Sequence, residues 1–149
     1  MKLYIKAMSE TKREVERKLR ERADEVLEHI MKLVLMPDHP ARNHWRKEIA
    51  MQLCTVHRFK GSNKYPSEQQ IFDWTYGAWA DELHDPGWMH NMMRRICKDY
   101  AVDSPYTLKE FSVKVNSLCK RYFAFVAQHL SNGRAIPAAT IYAFLDEIM

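Results

Sequence analysis

Glycine, proline and cysteine are all scarce in this sequence. Its 149 residues include four glycines and six prolines that stand apart from one another, so the composition indicates no flexible linker. Three cysteines, Cys54, Cys97 and Cys119, form an odd set without a C-x-x-C pair. We therefore expect free thiols and no disulfide framework, as is typical of a reducing compartment such as the cytoplasm.

Long apolar runs are also lacking. Runs such as Leu33 to Met36 are far shorter than the roughly 20 residues that cross a bilayer. The first residues, M-K-L-Y-I-K-A-M-S, are basic but have no apolar core of a secretory signal. These features predict a cytoplasmic protein without membrane contact.

Motifs that accompany catalysis are missing as well. The chain contains no G-x-S-x-G, no P-loop and no H-E-x-x-H. Adjacent carboxylates such as Asp81 and Glu82 point about 100° apart on a helix, which is poor geometry for acid–base work. We expect no catalytic residue, no cofactor and no enzymatic activity.

Seven histidines raise the question of a metal site. Cys54-x-x-His57 has the spacing of two ligands, but structural zinc needs four ligands and catalytic zinc usually three. Asp81-x-x-His84 is the nearest approach to the Glu-x-x-His pairs of a di-iron bundle. The sequence predicts no metal site, and a metal-dependent helical-bundle enzyme is a third, less favoured hypothesis.

What the sequence does contain is helical periodicity. Between Thr11 and Pro37, apolar residues recur every three or four positions and line one helix face. The opposite face carries i,i+4 pairs of opposite charge, which we interpret as a solvated surface. The paired residues are Glu14–Lys18, Glu16–Arg20 and Glu28–Lys32.

Further helices are predicted from capping signals and breakers. A second helix is expected to begin near Asp38, which would cap it, and to continue to about Phe59. Later helices are expected to start or end at Ser67, at Asp85-Pro86-Gly87, at Thr107, at Asn132-Gly133 and at Pro137.

The fold class follows from this pattern. With 46% hydrophobic and 28% charged residues, we expect an all-α, single-domain bundle of five to six helices with short connections, spanning residues 1–149. Strand-like alternation occurs only near the N-terminus. A lone strand would have no partner within the chain, so residues 1–8 are interpreted as an extended arm or a helical lead-in.

The strongest charge feature is a basic segment from Arg42 to Lys64. It contains six Lys/Arg against Glu48 alone. On the wheel of the second helix, Arg42, Arg46, Lys47 and Arg58 gather on one side of the apolar stripe, and Lys60 and Lys64 extend this surface into the loop. Trp45 falls within the stripe and is expected in the core. The predicted binding residues are Arg42, Arg46, Lys47, Arg58, Lys60 and Lys64.

An acidic segment follows directly. Residues 68–103 hold seven Asp/Glu against three Lys/Arg. The basic segment could therefore be a solvated face, be neutralised within the chain, meet an acidic protein, or meet nucleic-acid phosphates with salt-dependent affinity. The sequence leaves these alternatives open.

A second candidate surface is rich in methionine, since such surfaces adapt to partners. It comprises Trp88, Met89, Met92 and Met93. Core packing is the simpler interpretation of these residues and of the apolar final helix. An apolar face left over after the core is filled would favour homodimerisation.

The sequence as a whole predicts a small non-catalytic protein that acts by binding another protein with an acidic surface. Nucleic-acid binding through the basic segment is the alternative. The basic, Met- and Trp-rich composition also suits an accessory or regulatory protein of a phage or mobile element, although no motif supports that assignment.

Overall fold

The computed structural model describes residues 9–149 and confirms an all-α bundle. Residues 1–8, where an extended arm was one interpretation, lie outside the described residues. The helices are α1 (Lys12–Leu35), α2 (Arg42–Gln52), α3 (Glu68–Trp74), α4 (Tyr76–Leu83), α5 (Pro86–Asp99), α6 (Leu108–Leu130) and α7 (Ala138–Ile148). Two short strands, β1 (Ser9–Glu10) and β2 (Arg58–Phe59), pair in parallel.

Two long helices organise the core. α1 packs against α2, α3, α4, α5 and α6, and α6 contacts α7 as well. The apolar face of α1 is buried along its whole length, from Val15 to Leu35. Each fully buried Leu, Ile, Val or Phe side chain stabilises the fold by about 1.5–3 kcal/mol, so this shared face is the main source of stability.

Two of the predicted capping residues, Ser67 and Thr107, begin their helices as expected. Ser67 and Thr107 each form a complete capping box, with Gln70 and Glu110 as the reciprocal partners. The Asp85 carboxylate accepts a hydrogen bond from the Gly87 amide at 2.9 Å and so begins α5. These helix starts are encoded locally.

The second helix differs from the prediction at both ends. It begins at Arg42 without a side-chain cap, so Asp38 does not cap it, and it ends at Gln52 instead of near Phe59. Beyond Gln52 the chain turns away, and the Cys54 carbonyl accepts a hydrogen bond from the Ile136 amide at 2.8 Å. A backbone hydrogen bond to a distant residue thus takes the place of the bonds of a further helical turn. The connection between α2 and α3 is therefore longer than predicted.

One predicted helix is broken into two. Thr75 separates α3 from α4, and its buried hydroxyl donates to the Ile71 carbonyl at 2.7 Å. A threonine that bonds back to the preceding turn competes with the helical ladder and bends it. The bend lets both α3 and α4 pack against α1 and α6.

The pairing of β1 with β2 was not predicted from the sequence. Ser9 is in register with Arg58, and Glu10 with Phe59. The Lys60 amide also donates to the Glu10 carbonyl at 2.6 Å. The residues that precede α1 are thereby joined to the loop that follows α2.

Candidate interaction surface

The fold divides the basic segment between two ends of the molecule. α2 runs back along α1, so Arg42 lies beside Leu33 and Pro37 at the C-terminal end of α1. The later part of the segment lies near Lys18, at the other end. With a rise of about 1.5 Å per residue, Lys18 and Leu33 are about 22 Å apart along α1. The single face predicted for one continuous helix is therefore not formed.

Arg46 belongs to the packing between helices. Its guanidinium donates to the Asp146 carboxylate at 2.7 Å and to the Tyr142 carbonyl at 3.3 Å. It also lies 5.3 Å from the centre of the Tyr142 ring. Because its side chain is 18% exposed, Arg46 joins α2 to α7 and has little surface to offer a partner.

Arg42 and Lys47 are exposed on α2, as predicted. Trp45 is buried, also as predicted, and stacks on the His39 ring with 5.0 Å between centroids. Tyr100 meets Trp45 edge-on. The aromatic residue of this helix is therefore part of the core, and two isolated cations remain on its surface.

The rest of the basic segment lies in the loop at the opposite end. Lys60 and Lys64 are exposed, and the Phe59 amide donates to the Lys64 carbonyl at 2.9 Å, which closes a turn between them. Arg58 is half-buried, and its Nη1 donates to the Asn63 side chain at 3.4 Å. This loop presents at least two cations to solvent.

Glu10 fixes the loop to the start of α1. Its carboxylate accepts an ion-pair contact from Lys18 at 2.9 Å and lies against the His57 ring. Burial by itself raises the pKa of Glu10, but the adjoining Lys18 and His57 outweigh burial, so its pKa is lowered. A charged, 9% exposed carboxylate thus connects β1, α1 and the loop.

Together these elements form what we call the basic end, residues 10–22 and 57–64. It carries nine Lys/Arg against four Glu, whereas the whole chain has a net charge of +4. The other 128 residues are therefore close to neutral. The cations of the basic end are Lys12, Arg13, Arg17, Lys18, Arg20, Arg22, Arg58, Lys60 and Lys64.

The sequence pattern predicts that the charged residues of α1 pair with one another at i,i+4, and the structure gives several of them other partners. Of the predicted i,i+4 partners, Lys18 pairs instead with Glu10, Glu28 with Arg95, and Arg20 lies over the Trp79 ring. Six Lys/Arg within Lys12–Arg22 was the available signal. The sequence did not show that these cations share a surface with the loop cations, because the loop meets α1 only through tertiary contacts.

A groove of about 460 Å³ lies between the first half of α1 and the α3–α4 bend. We call it the arginine groove. It is lined by Arg13, Glu16, Arg17, Arg20, Asp73, Trp74 and Ala78.

The arginine groove is continuous with the loop. The Phe59 ring meets the Trp74 ring edge-on at 6.4 Å, and the Lys12 ammonium lies 6.0 Å from the centre of the Trp74 ring. Trp74 is half-buried. The loop cations and the groove therefore form one surface around this indole.

The methionine-rich surface is largely part of the core. Met89 is 0% exposed, which corrects its prediction as a surface residue. Trp88, Met92 and Met93 are half-buried and pack against the core. Their helical spacing turns them inward, so α5 presents mainly polar residues to solvent.

The acidic segment does not pair with the basic one. Among the ion pairs of residues 9–149, none joins residues 42–64 to residues 68–103. Intramolecular neutralisation in this form is therefore not seen in the described part of the chain, and Lys60 and Lys64 remain exposed.

Metal-ligating and thiol groups are dispersed in the described residues. Within residues 9–149 no three His, Cys, Asp or Glu side chains are placed to hold a metal ion together. Cys54 and His57 follow the end of α2 and so share no helix face. Burial raises the pKa of the Cys119 and Cys97 thiols, which disfavours the reactive thiolate at both positions.

In the part of the chain that the structure describes, no helix has the length and apolarity to cross a membrane. Comparison with protein-family models, curated proteins and solved structures finds no match to this chain.

Proposed function

We propose that this chain is a non-catalytic cytoplasmic protein whose basic end binds an acidic surface of another protein. The observation that carries the proposal is the concentration of nine Lys/Arg and four Glu at one end of the fold. A field of one sign at one end steers an oppositely charged partner and orients it on approach.

The basic end is held in place before any partner arrives. The β1–β2 pair and the Glu10 contacts with Lys18 and His57 connect its two chain segments. A surface that is already ordered loses less conformational entropy on binding. Lys60 and Lys64 extend from this framework into solvent, where they can contact a partner without disturbing the core.

Nucleic acid is the second candidate, and the distribution of carboxylates makes it the weaker one. Glu14, Glu16 and Glu21 alternate with the cations along the first turns of α1, and Asp73 lies across the arginine groove. A phosphate chain laid on this surface would meet these charges at short range. A protein partner can instead place its own cations opposite them.

Homodimerisation stays a further prediction. Among residues 9–149 the exposed large hydrophobic residues are Met51, Val113 and Met149. They belong to α2, to α6 and to the residue after α7, so they do not by themselves outline a continuous apolar face. A role as an accessory or regulatory protein of a phage or mobile element also stays a prediction.

The test compares two charge reversals of equal size. Immobilised wild-type protein is incubated with an extract of the native host, with and without nuclease, alongside Lys60→Glu/Lys64→Glu and Arg42→Glu/Lys47→Glu. All four positions are exposed. We expect nuclease-resistant capture of a protein with clustered Asp and Glu, lost with the first variant, retained with the second, and weaker as salt rises from about 50 to about 200 mM.

Three results would contradict the proposal. Capture that disappears with nuclease would assign the surface to nucleic acid. Loss with Arg42→Glu/Lys47→Glu alone would assign binding to α2. Equal capture by all three proteins would show that neither set of cations contributes.

A further inference from the structure

We infer that the acidic partner binds as an amphipathic helix lying in the arginine groove. This inference rests on the proposed function and adds the conformation and the docking position of the partner.

The three arginines of the groove are regularly spaced along α1. Arg13, Arg17 and Arg20 stand at i, i+4 and i+7 of α1, so they share one helix face that lines the groove. The steps along the axis are about 6 Å and about 4.5 Å. Carboxylates at i, i+4 and i+7 of a second helix have the same steps, so one acidic helix can meet all three guanidinium groups.

The arginine groove also contains an apolar surface. Trp74, the last residue of α3, presents a half-buried indole, and Ala78, four residues further and beyond the break at Thr75, presents a methyl group. A partner that contributed only charged groups would leave this apolar surface exposed to water. An amphipathic helix can cover it with one or two aliphatic side chains between its carboxylates, as in other helix-in-groove complexes.

Two of the three guanidinium groups, those of Arg20 and Arg17, are already restrained by contacts within the chain. Arg20 lies 5.2 Å from the centre of the Trp79 ring, and the Trp79 indole N–H donates to the Arg20 carbonyl at 3.1 Å. Arg17 pairs with Glu21 at 3.0 Å yet is 56% exposed. These contacts restrain the side chains and leave their outer N–H groups accessible to carboxylates.

The acidic residues of the groove favour a helix over a nucleic-acid strand. Glu16 and Asp73 also line the groove. They repel phosphates, but they favour the partially positive N-terminal turn of a helix or a basic residue on its flank. The groove is complementary to a chain of mixed charge with an excess of acid.

The probe is a fluorescein-labelled peptide of about 20 residues, because shorter peptides are marginal helices in water. It carries Glu at i, i+4 and i+7 with Leu between them on the same face. A second peptide has the same composition in an order that removes the helical period. Fluorescence anisotropy gives the Kd of each for the full chain.

Two kinds of variant test the groove. Ala78→Phe fills it without changing charge, and Ala143→Phe, at an exposed position of α7, is the matched control. Arg13→Glu/Arg17→Glu removes the carboxylate contacts, with Arg42→Glu/Lys47→Glu as the control of equal charge. We expect Ala78→Phe and Arg13→Glu/Arg17→Glu each to weaken binding of the periodic peptide at least about tenfold. Both controls are expected to bind like wild type.

The outcomes distinguish this inference from the proposed function. Helix docking would be overturned if both peptides bound with equal affinity. It would also be overturned if the Ala78→Phe variant melted like wild type and bound the periodic peptide as tightly as wild type. Either result would leave loop-dependent capture of the host partner untouched. If the periodic peptide binds as expected but wild type, Lys60→Glu/Lys64→Glu and Arg13→Glu/Arg17→Glu all capture the host partner equally, the proposed function would be overturned instead, because neither part of the basic end would then contribute to capture. A single-stranded oligonucleotide that displaces the peptide at equal charge would assign the groove to nucleic acid and overturn both.

Discussion

Arg46 of α2 donates a hydrogen bond to Asp146 of α7 at 2.7 Å across a sequence separation of 100 residues. The same guanidinium covers the Tyr142 ring. In the sequence this arginine is one of six cations of the basic segment, but in the fold it connects two helices. The ion pair takes the positive charge of Arg46 out of the exposed surface. The remaining excess of positive charge is concentrated at the basic end.

Arg46→Ala is expected to lower the free energy of unfolding by about 1 kcal/mol. The pair is charge-assisted, but Asp146 is 66% exposed and therefore screened by water. Arg42→Ala, four residues earlier and exposed, is the matched control and should change stability by less than about 0.5 kcal/mol. Urea unfolding followed by circular dichroism measures both, and equal effects would contradict a structural role for Arg46.

Tyr122→Phe is expected to leave stability unchanged or raise it by about 1 kcal/mol. The Tyr122 hydroxyl is buried and has no hydrogen-bond partner within residues 9–149, so its removal ends the cost of an unpaired buried donor. Burial also raises the pKa of this phenol.

Tyr76→Phe is the matched control with the opposite sign. The Tyr76 hydroxyl donates to the Asn116 side chain at 2.6 Å, so its loss should lower the free energy of unfolding by about 1 kcal/mol. Thermal and urea unfolding of the two variants compare them directly. A strongly destabilised Tyr122→Phe would mean that its hydroxyl has a partner.

Gly133→Ala is expected to destabilise the protein more than Gly61→Ala. Both glycines have φ of +73°, where a β-carbon costs about 1 kcal/mol. A methyl group at Gly133 would also overlap the Tyr65 ring, whereas the space around Gly61 is open. The difference between the two melting temperatures therefore reports the Tyr65 contact, and similar melting temperatures would show that this ring moves aside freely.

Glu10→Gln is expected to lower stability near neutral pH and to have less effect in acid. The pKa of Glu10 in the folded protein lies below its ordinary value of 4.5, so its stabilisation is complete above pH 4.5. It is lost as the pH falls through the lower folded pKa. Urea unfolding of both proteins at about pH 7 and about pH 3 measures this, and a difference that grows in acid would contradict the sign.

Local signals were sufficient for the helices that carry their own caps. The side chains of Ser67, Asp85 and Thr107 hydrogen-bond to amides two or three residues away, so the information lies within one turn of helix. The break after Gln52 depends on a distant partner, Ile136, and the break at Thr75 depends on the hydroxyl bond to Ile71 together with the packing of α3 and α4. Apolar periodicity predicted that both helices continue past these breaks, because the apolar residues beyond each break also face the core.

The sequence by itself determined the all-α class, the burial of Trp45 and an excess of positive charge, because each depends on composition, spacing or groups within one helical turn. The tertiary structure decided which cations share a surface. It separates Arg42 from Lys60 along α1, binds Arg46 to Asp146, and joins Lys60 to α1 through Glu10. Charge acts through distance in space, and the antiparallel path of α2 along α1 sets those distances.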